Sequence, residues 1–297
     1  MKSASGFNGQ RFFNSYAAAI PLKQIGKWLL SRQTPAWPKS VFQSITFDNM
    51  TWFHHSTCSI KMSGFHMLTD PIWEKACGPF GRFGPKRHGA LQTKLEDLDP
   101  VDIVLVSHNH FDHMCLKTLH RLQKMFNPLI ITGLGNKRHL KDFPLVKELD
   151  WWESYSNAHL SITYVPAAHF SSRSPFDRNK SLWGGFVLEG EKKVYFAADT
   201  GQGNHFQEIA DAFAPFDYCF LPIGSYKPES ILHPVHIGPR EAVALHKLLG
   251  AQKSIPIHYG TFQLGDEGFH EPLQELAKEL RLQGCPDNSF LFPSYLS

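Results

Sequence analysis

With 297 residues, 42% hydrophobic, 13% aromatic and 19% charged, the chain has the material for one large domain with a substantial core, and its composition does not indicate disorder. A net charge of +3 is spread without a basic run or an aromatic-basic repeat, which argues against a nucleic-acid partner. Cys58, Cys77, Cys115, Cys219 and Cys285 are scattered and form no C-x-x-C pair, and no stretch approaches the ~20 apolar residues of a membrane span. These features argue against a thiolate zinc knot, a disulfide framework and a spanning helix, and the expected setting is the reducing cytoplasm.

In chain order, residues 1–44 mix aromatic and basic residues with prolines and read as an arm, with one helix expected over 22–32. Its Phe12, Phe13, Tyr16, Ile20, Leu22, Ile25, Trp28 and Leu29, beside Arg11, Lys23 and Lys27, suit either a membrane interface or packing on the domain. From residue 45 to 297 a single domain is expected. Its strands are read at 45–52, 58–62, 101–107, 129–132, 160–165, 183–189, 194–198, 218–222 and 254–257. Helices are read at 114–125, 206–212, 239–249 and 271–282, the third opening on a proline suited to a first turn. Residues 77–91, rich in glycine, proline and basic residues, read as a long surface loop, where Lys86 and Arg87 could attract an anionic head group or simply be solvated.

The most informative run is IVLVSHNHFDHM at residues 103–114: an apolar strand stops at Ser107, and His108, His110, Asp112 and His113 follow at once. Residues two apart in extended backbone point the same way, so His108 and His110 can grip one ion. Asp112 and His113, read at the start of the next helix, can turn toward a second. A lone histidine here would pass for a solvated loop residue and a lone aspartate for a helix cap, but four imidazole and carboxylate donors in one turn match the ligand chemistry of zinc. The pattern recurs with single donors: SITYVPAAH ends on His169, VYFAADTG presents Asp199 and SIPIHYG presents His258. If these strands lie side by side, the donors converge at one edge. Zinc is the first choice of metal, with manganese and iron as alternatives.

These residues resemble the metallo-β-lactamase superfamily, whose pattern is H-x-H-x-D-H followed by a histidine, an aspartate and a final histidine. The resemblance implies an αββα sandwich of two mixed β-sheets flanked by helices. It also implies His108, His110 and His169 on one ion, Asp112, His113 and His258 on the other, and Asp199 bridging. Relatives with a redox di-iron centre carry glutamate at the position of His110, so a hydrolytic pair of ions is expected. A narrower resemblance, carried by TWFHHST, LTDPIW, GPKRH, NKSLWGGFVLEG, AADTG, PIGSY, HPVHIGPREAV and KSIPIHYGTF, is to the N-acyl-phosphatidylethanolamine-hydrolysing phospholipase D branch and its bacterial relatives. One departure is His54-His55, where that branch has Gly-His.

The resemblance implies that Asp70 lies beneath the metals as an orienting carboxylate, against a plain reading as a turn residue before Pro71. His55 reads as a similar support or as a packed histidine. His236 is placed at the pocket mouth, contacting a phosphate or moving a proton. His233 is a weaker candidate, and His66, His88, His120, His139, His159, His205, His246 and His270 read as surface or core. The expected function is a metal-dependent phosphodiesterase in which a hydroxide shared by two ions attacks a phospholipid, with peripheral membrane association. Hydrolysis of a soluble lactone or phosphorylated metabolite, as in ascorbate-6-phosphate lactonases, is the alternative, and a non-enzymatic metal-binding protein the second.

Overall fold

The computed structural model describes residues 5–13, 16, 22–32, 34–38 and 44–292. Beyond a short hairpin of β1 (Gly6–Phe7) and β2 (Phe12–Phe13) and the helix α1 (Leu22–Ser31), the chain forms two mixed sheets. The first has seven strands in chain order: β3 (Ile45–Phe47), β4 (Met50–His54), β5 (Thr57–Met62), β6 (Phe65–Thr69), β7 (Ile103–Val106), β8 (Leu129–Gly133) and β9 (Val146–Leu149). The second has six: β10 (Ser154–Ser156), β11 (Ser161–Val165), β12 (Gly185–Glu189), β13 (Lys193–Phe196), β14 (Tyr218–Pro222) and β15 (Lys253–Ile257). Early strands of each sheet pair antiparallel, while β6 to β9 and β13 to β15 pair parallel.

Parallel neighbours require crossovers. Helix α2 (Leu116–Phe126) joins β7 to β8, α3 (His205–Phe213) joins β13 to β14, and α4 (Glu229–Leu232) with α5 (Pro239–Leu248) joins β14 to β15; α6 (Glu271–Leu282) follows. The strand IVLV explains the layering. Side chains alternate across a sheet, so Ile103 and Leu105 enter the core shared with Tyr164, Phe186 and Phe196 of the second sheet, while Val104 and Val106 meet Leu119 and Leu122 of α2. Each such side chain, buried on folding, contributes about 1.5–3 kcal/mol. The result is the expected αββα arrangement.

Strand direction then decides where the donors go. β11 and β13 are both antiparallel to β12, and β15 continues the parallel run, so all three end at the same edge. In the first sheet β4, β6 and β7 likewise share a direction. These ends lead directly into His55, Asp70, His108, His169, Asp199 and His258. Several of the turns are sharp enough to hold side-chain-bearing residues in the left-handed region: φ is +50° at His55, +36° at Asp70, +53° at Ala198 and +62° at His258. Such conformations persist only where the surroundings enforce them, and they cluster at functional sites. Gly224, after β14, shows one source of that pressure, since a Cβ there would lie 2.0 Å from the carbonyl oxygen of His258.

Three readings change. The expected strand 45–52 breaks at Asp48, whose φ of +45° turns the chain between β3 and β4. The apolar strand read ahead of Asp70 is β6, whereas β9 and β10 were not foreseen; VKEL and SYS carry too little apolar alternation, and pairing with neighbours makes them strands. Helix α2 begins at Leu116, so Asp112 and His113 lie in the turn before it and not at its start.

Of the arm, Ile20 and the side chains of Leu22, Lys23, Ile25 and Leu29 lie outside the described residues, but other parts touch the domain. Tyr16 donates to Glu208 at 3.0 Å and its ring lies 5.8 Å from that of Trp151. Trp28 Nε1 and Arg32 Nε donate to Asp266 at 2.5 and 2.8 Å. Asp266→Ala removes both acceptors at once and is expected to weaken seating of α1 by roughly 1–2 kcal/mol, read as faster limited proteolysis within the first 40 or so residues. Unchanged cleavage rates would show that these contacts do not seat the arm.

Candidate metal centre

The structure brings together all seven donors named from the motif. His108, His110, His169 and Asp199 form one group with donor atoms within 4.8 Å of one another, and Asp112, His113 and His258, joined by His55, form a second. Asp199 lies between them. Its Oδ2 is 3.2 Å from His113 Nε2 and 3.7 Å from His169 Nε2, and its Oδ1 is 3.1 Å from His258 Nε2. Asp112 Oδ2 is 3.3 Å from His113 Nε2 and 3.4 Å from His258 Nε2.

Behind the donors is a layer of hydrogen bonds that sets which ring nitrogen faces inward. His113 Nδ1 donates to Asp70 Oδ2 at 2.7 Å, and His169 Nδ1 donates to the Val235 carbonyl at 2.9 Å, so each presents a bare Nε2 to the centre. Asp70 is held in turn by the Ser107 amide at 2.7 Å and hydroxyl at 2.6 Å. His55 Nε2 donates to Asp112 Oδ2 at 3.0 Å, which makes this buried histidine a support for the carboxylate. His236 is also present: Nδ1 lies 3.9 Å from Asp199 Oδ2, its ring stacks 5.4 Å from that of His258, and its side chain keeps 13% of its exposure.

The electrostatics describe a hole for positive charge. Burial lowers His108 and His169 well below the usual imidazole range and His110 to about 4, so these three are neutral donors. Burial opposes charge on Asp112 and Asp199 too, yet His113 and the neighbouring imidazoles hold both carboxyls well below the usual range. Conversely, His113 is raised, and His258 reaches about 9, because the buried carboxylates outweigh desolvation. Two buried carboxylates facing this cluster of imidazoles thus draw positive charge to the centre. His113 Nε2, His258 Nε2 and Asp199 Oδ1 have no aligned hydrogen-bond partner among the described residues, although His113 Nε2 lies 3.2 Å from Asp199 Oδ2 and His258 Nε2 lies 3.1 Å from Asp199 Oδ1. Unaligned lone pairs converging on common points are what cations, and not hydrogen bonds, satisfy. The donor set fits a dinuclear centre of divalent ions.

Comparison with known proteins agrees. The family described as Beta-lactamase superfamily domain matches residues 66–259, most of the chain and every donor in both groups except His55. The chain belongs to the metallo-β-lactamase superfamily. This superfamily member is 35% identical over 258 residues to an N-acyl-phosphatidylethanolamine-hydrolyzing phospholipase D of Caenorhabditis elegans, covering 81% of this chain and 72% of that one. It is also 35% identical over 235 residues to an uncharacterized protein of Mycobacterium tuberculosis, covering 76% of this chain but only 62% of its relative's length. Among solved structures, a metallo hydrolase of Ignicoccus hospitalis overlays with a TM-score of 0.62 at 21% identity, covering 82% of this chain and 94% of that one, a likeness of fold.

Two residues of the centre escaped sequence reasoning. Ser107 orders Asp70 and reaches His108 Nδ1 at 2.9 Å, and Tyr164 donates to the Ser107 carbonyl at 2.7 Å. A serine before a histidine and a tyrosine in a strand give no signal by type. One reading is corrected: Arg87 does not face outward for a head group. Its guanidinium donates to the carbonyls of Ile72 at 2.7 Å and Glu74 at 3.1 Å and lies over Phe262, while Lys86 is exposed. Among the described residues, no helix is long and apolar enough to cross a membrane.

Proposed function

We propose that the chain is a metal-dependent phosphodiesterase of phospholipase D type, acting on N-acyl phosphatidylethanolamine or a related phospholipid at two divalent cations, zinc first. The observation that carries this reading is the pair of buried donor groups meeting at Asp199. His108, His110 and His169 would hold one cation, Asp112, His113 and His258 the other, and Asp199 both. Such a pair, when bound, polarises a phosphoryl oxygen and makes water acidic enough to react near neutral pH.

The remaining work belongs to the protein. Asp70 and the Val235 carbonyl fix the tautomers of His113 and His169, and His55 orients Asp112. His236, at the mouth, hydrogen-bonds a phosphoryl or leaving oxygen. Water adds to phosphorus, the bond from phosphorus to the ethanolamine oxygen breaks, and that oxygen leaves as the alcohol with a proton from the water. The products are phosphatidic acid and an N-acylethanolamine. The lipid is supported by the Caenorhabditis elegans relative, which hydrolyses N-acyl-phosphatidylethanolamine.

The test is hydrolysis by the zinc-loaded chain in ¹⁸O-labelled water of three substrates: N-acyl phosphatidylethanolamine in mixed micelles, a bis-aryl phosphodiester and a lactone. Lipid cleavage with label in the phosphatidic acid is the expected result. Label in the ethanolamine fragment would rule out attack at phosphorus, and rapid lactone opening without lipid cleavage would transfer the site to a soluble metabolite.

A further inference from the structure

The mechanism above makes no use of Arg173, four residues beyond His169. A single nitrogen of its guanidinium, Nη1, donates to two main-chain carbonyls, those of Asn109 and Met114, each at 2.8 Å. The two carbonyls bracket the turn that carries His110, Asp112 and His113. From inside, the turn closes on itself, with the amides of His113 and Met114 reaching the His110 carbonyl at 3.2 and 2.8 Å. Outside it lies no regular structure: β7 has ended at Val106 and α2 begins only at Leu116. The Asn109 and Met114 carbonyls therefore fall outside both ladders, and buried acceptors need a partner.

The guanidinium also covers the middle of the turn, with its Cζ 4.1 Å from the Phe111 ring centroid. Arg173 is fixed in turn, since its amide and that of Ser174 donate to Asp177 Oδ1 at 2.9 and 2.8 Å. Phe111, Met114 and Arg173 also line an apolar cavity of about 690 Å³ shared with Pro79 and Phe80. The turn therefore has room to relax away from the donors of the opposite sheet.

We propose that Arg173 is a positioning residue that clamps the donor turn, locking the loop after His169 to the His110–His113 segment and keeping donors of both groups in register. This rests on the reading of the centre as a site for two cations. His110 belongs to the first group and Asp112 and His113 to the second, so a slack turn weakens both. A lysine keeps the charge but not the reach of Nη1 or the planar face laid on Phe111.

The test compares Arg173→Lys, Arg173→Ala and a control, Phe176→Ala, in the full chain. Phe176 lies on the same loop and is 79% exposed. Cobalt(II) is the probe, read by equilibrium dialysis with elemental analysis, by its visible absorption bands and by melting of the metal-free protein. Arg173→Lys is expected to weaken cobalt binding by roughly 10–100-fold and to shift the bands, with little change in metal-free melting; Arg173→Ala does so more strongly and Phe176→Ala not at all. Wild-type affinity and bands in both Arg173 variants would overturn the proposal, as would a drop in metal-free melting with cobalt affinity intact. Fewer than two ions on the unaltered chain would strike the two-cation reading instead, while the ranking of the variants on whichever ion binds still decides Arg173. If Arg173→Ala does not fold, the lysine variant carries the comparison.

Discussion

Asp199→Ala is expected to retain at most one ion per chain and to lose more than about 10³-fold in turnover, or about 4 kcal/mol of transition-state stabilisation. Among the described residues this carboxylate is the one group whose two oxygens reach toward both donor sets, with His113 and His169 on one oxygen and His258 on the other. Removing it leaves imidazoles without the charge that compensates two dications in a buried site. Asp70→Asn is milder, because it alters hydrogen bonds behind the donors, to His113 and Ser107, and removes no donor, an effect of roughly 10–100-fold in metal affinity. Elemental analysis beside turnover on a soluble diester checks both. Near wild-type turnover by Asp199→Ala carrying two ions would remove the shared role of this residue.

The second large effect is at His236. His236→Ala is expected to keep both ions and lose roughly 10²–10⁴-fold in turnover, the range of a group that assists at a reacting oxygen. Its Nδ1 is buried without an aligned partner among the described residues and lies beside Asp199, while the side chain as a whole keeps 13% exposure. An alternative is chemically open, because Asp199, His236 and His258 also sit within ligating distance of one another. Metal analysis separates the two: loss of an ion with the histidine makes it a ligand, whereas two ions with unaltered turnover would leave it without a role in the reaction.

The centre was legible because metal ligation is written in residue types and short spacings. H-x-H-x-D-H after an apolar strand is a dense local signal, and His169, Asp199 and His258 each close a readable β-run. The strands and helices bordering these points were legible for the same reason, since IVLV, SITYV and YCFLP carry their burial in their composition.

What the sequence by itself determined, then, was the set of donors and the order of elements that carry them. Tertiary structure decided everything that depends on the direction in which strands run and on what covers a turn. Nothing in the letters says that β11 and β13 end at one edge because both oppose β12, or that β9 and β10 are strands at all. Nor do the letters assign Arg87 to the carbonyls of Ile72 and Glu74, or Arg173 to those of Asn109 and Met114. A main-chain carbonyl has no residue identity, so a side chain that serves one leaves no trace in sequence. Only the folded backbone shows which acceptors the sheets and helices leave unpaired.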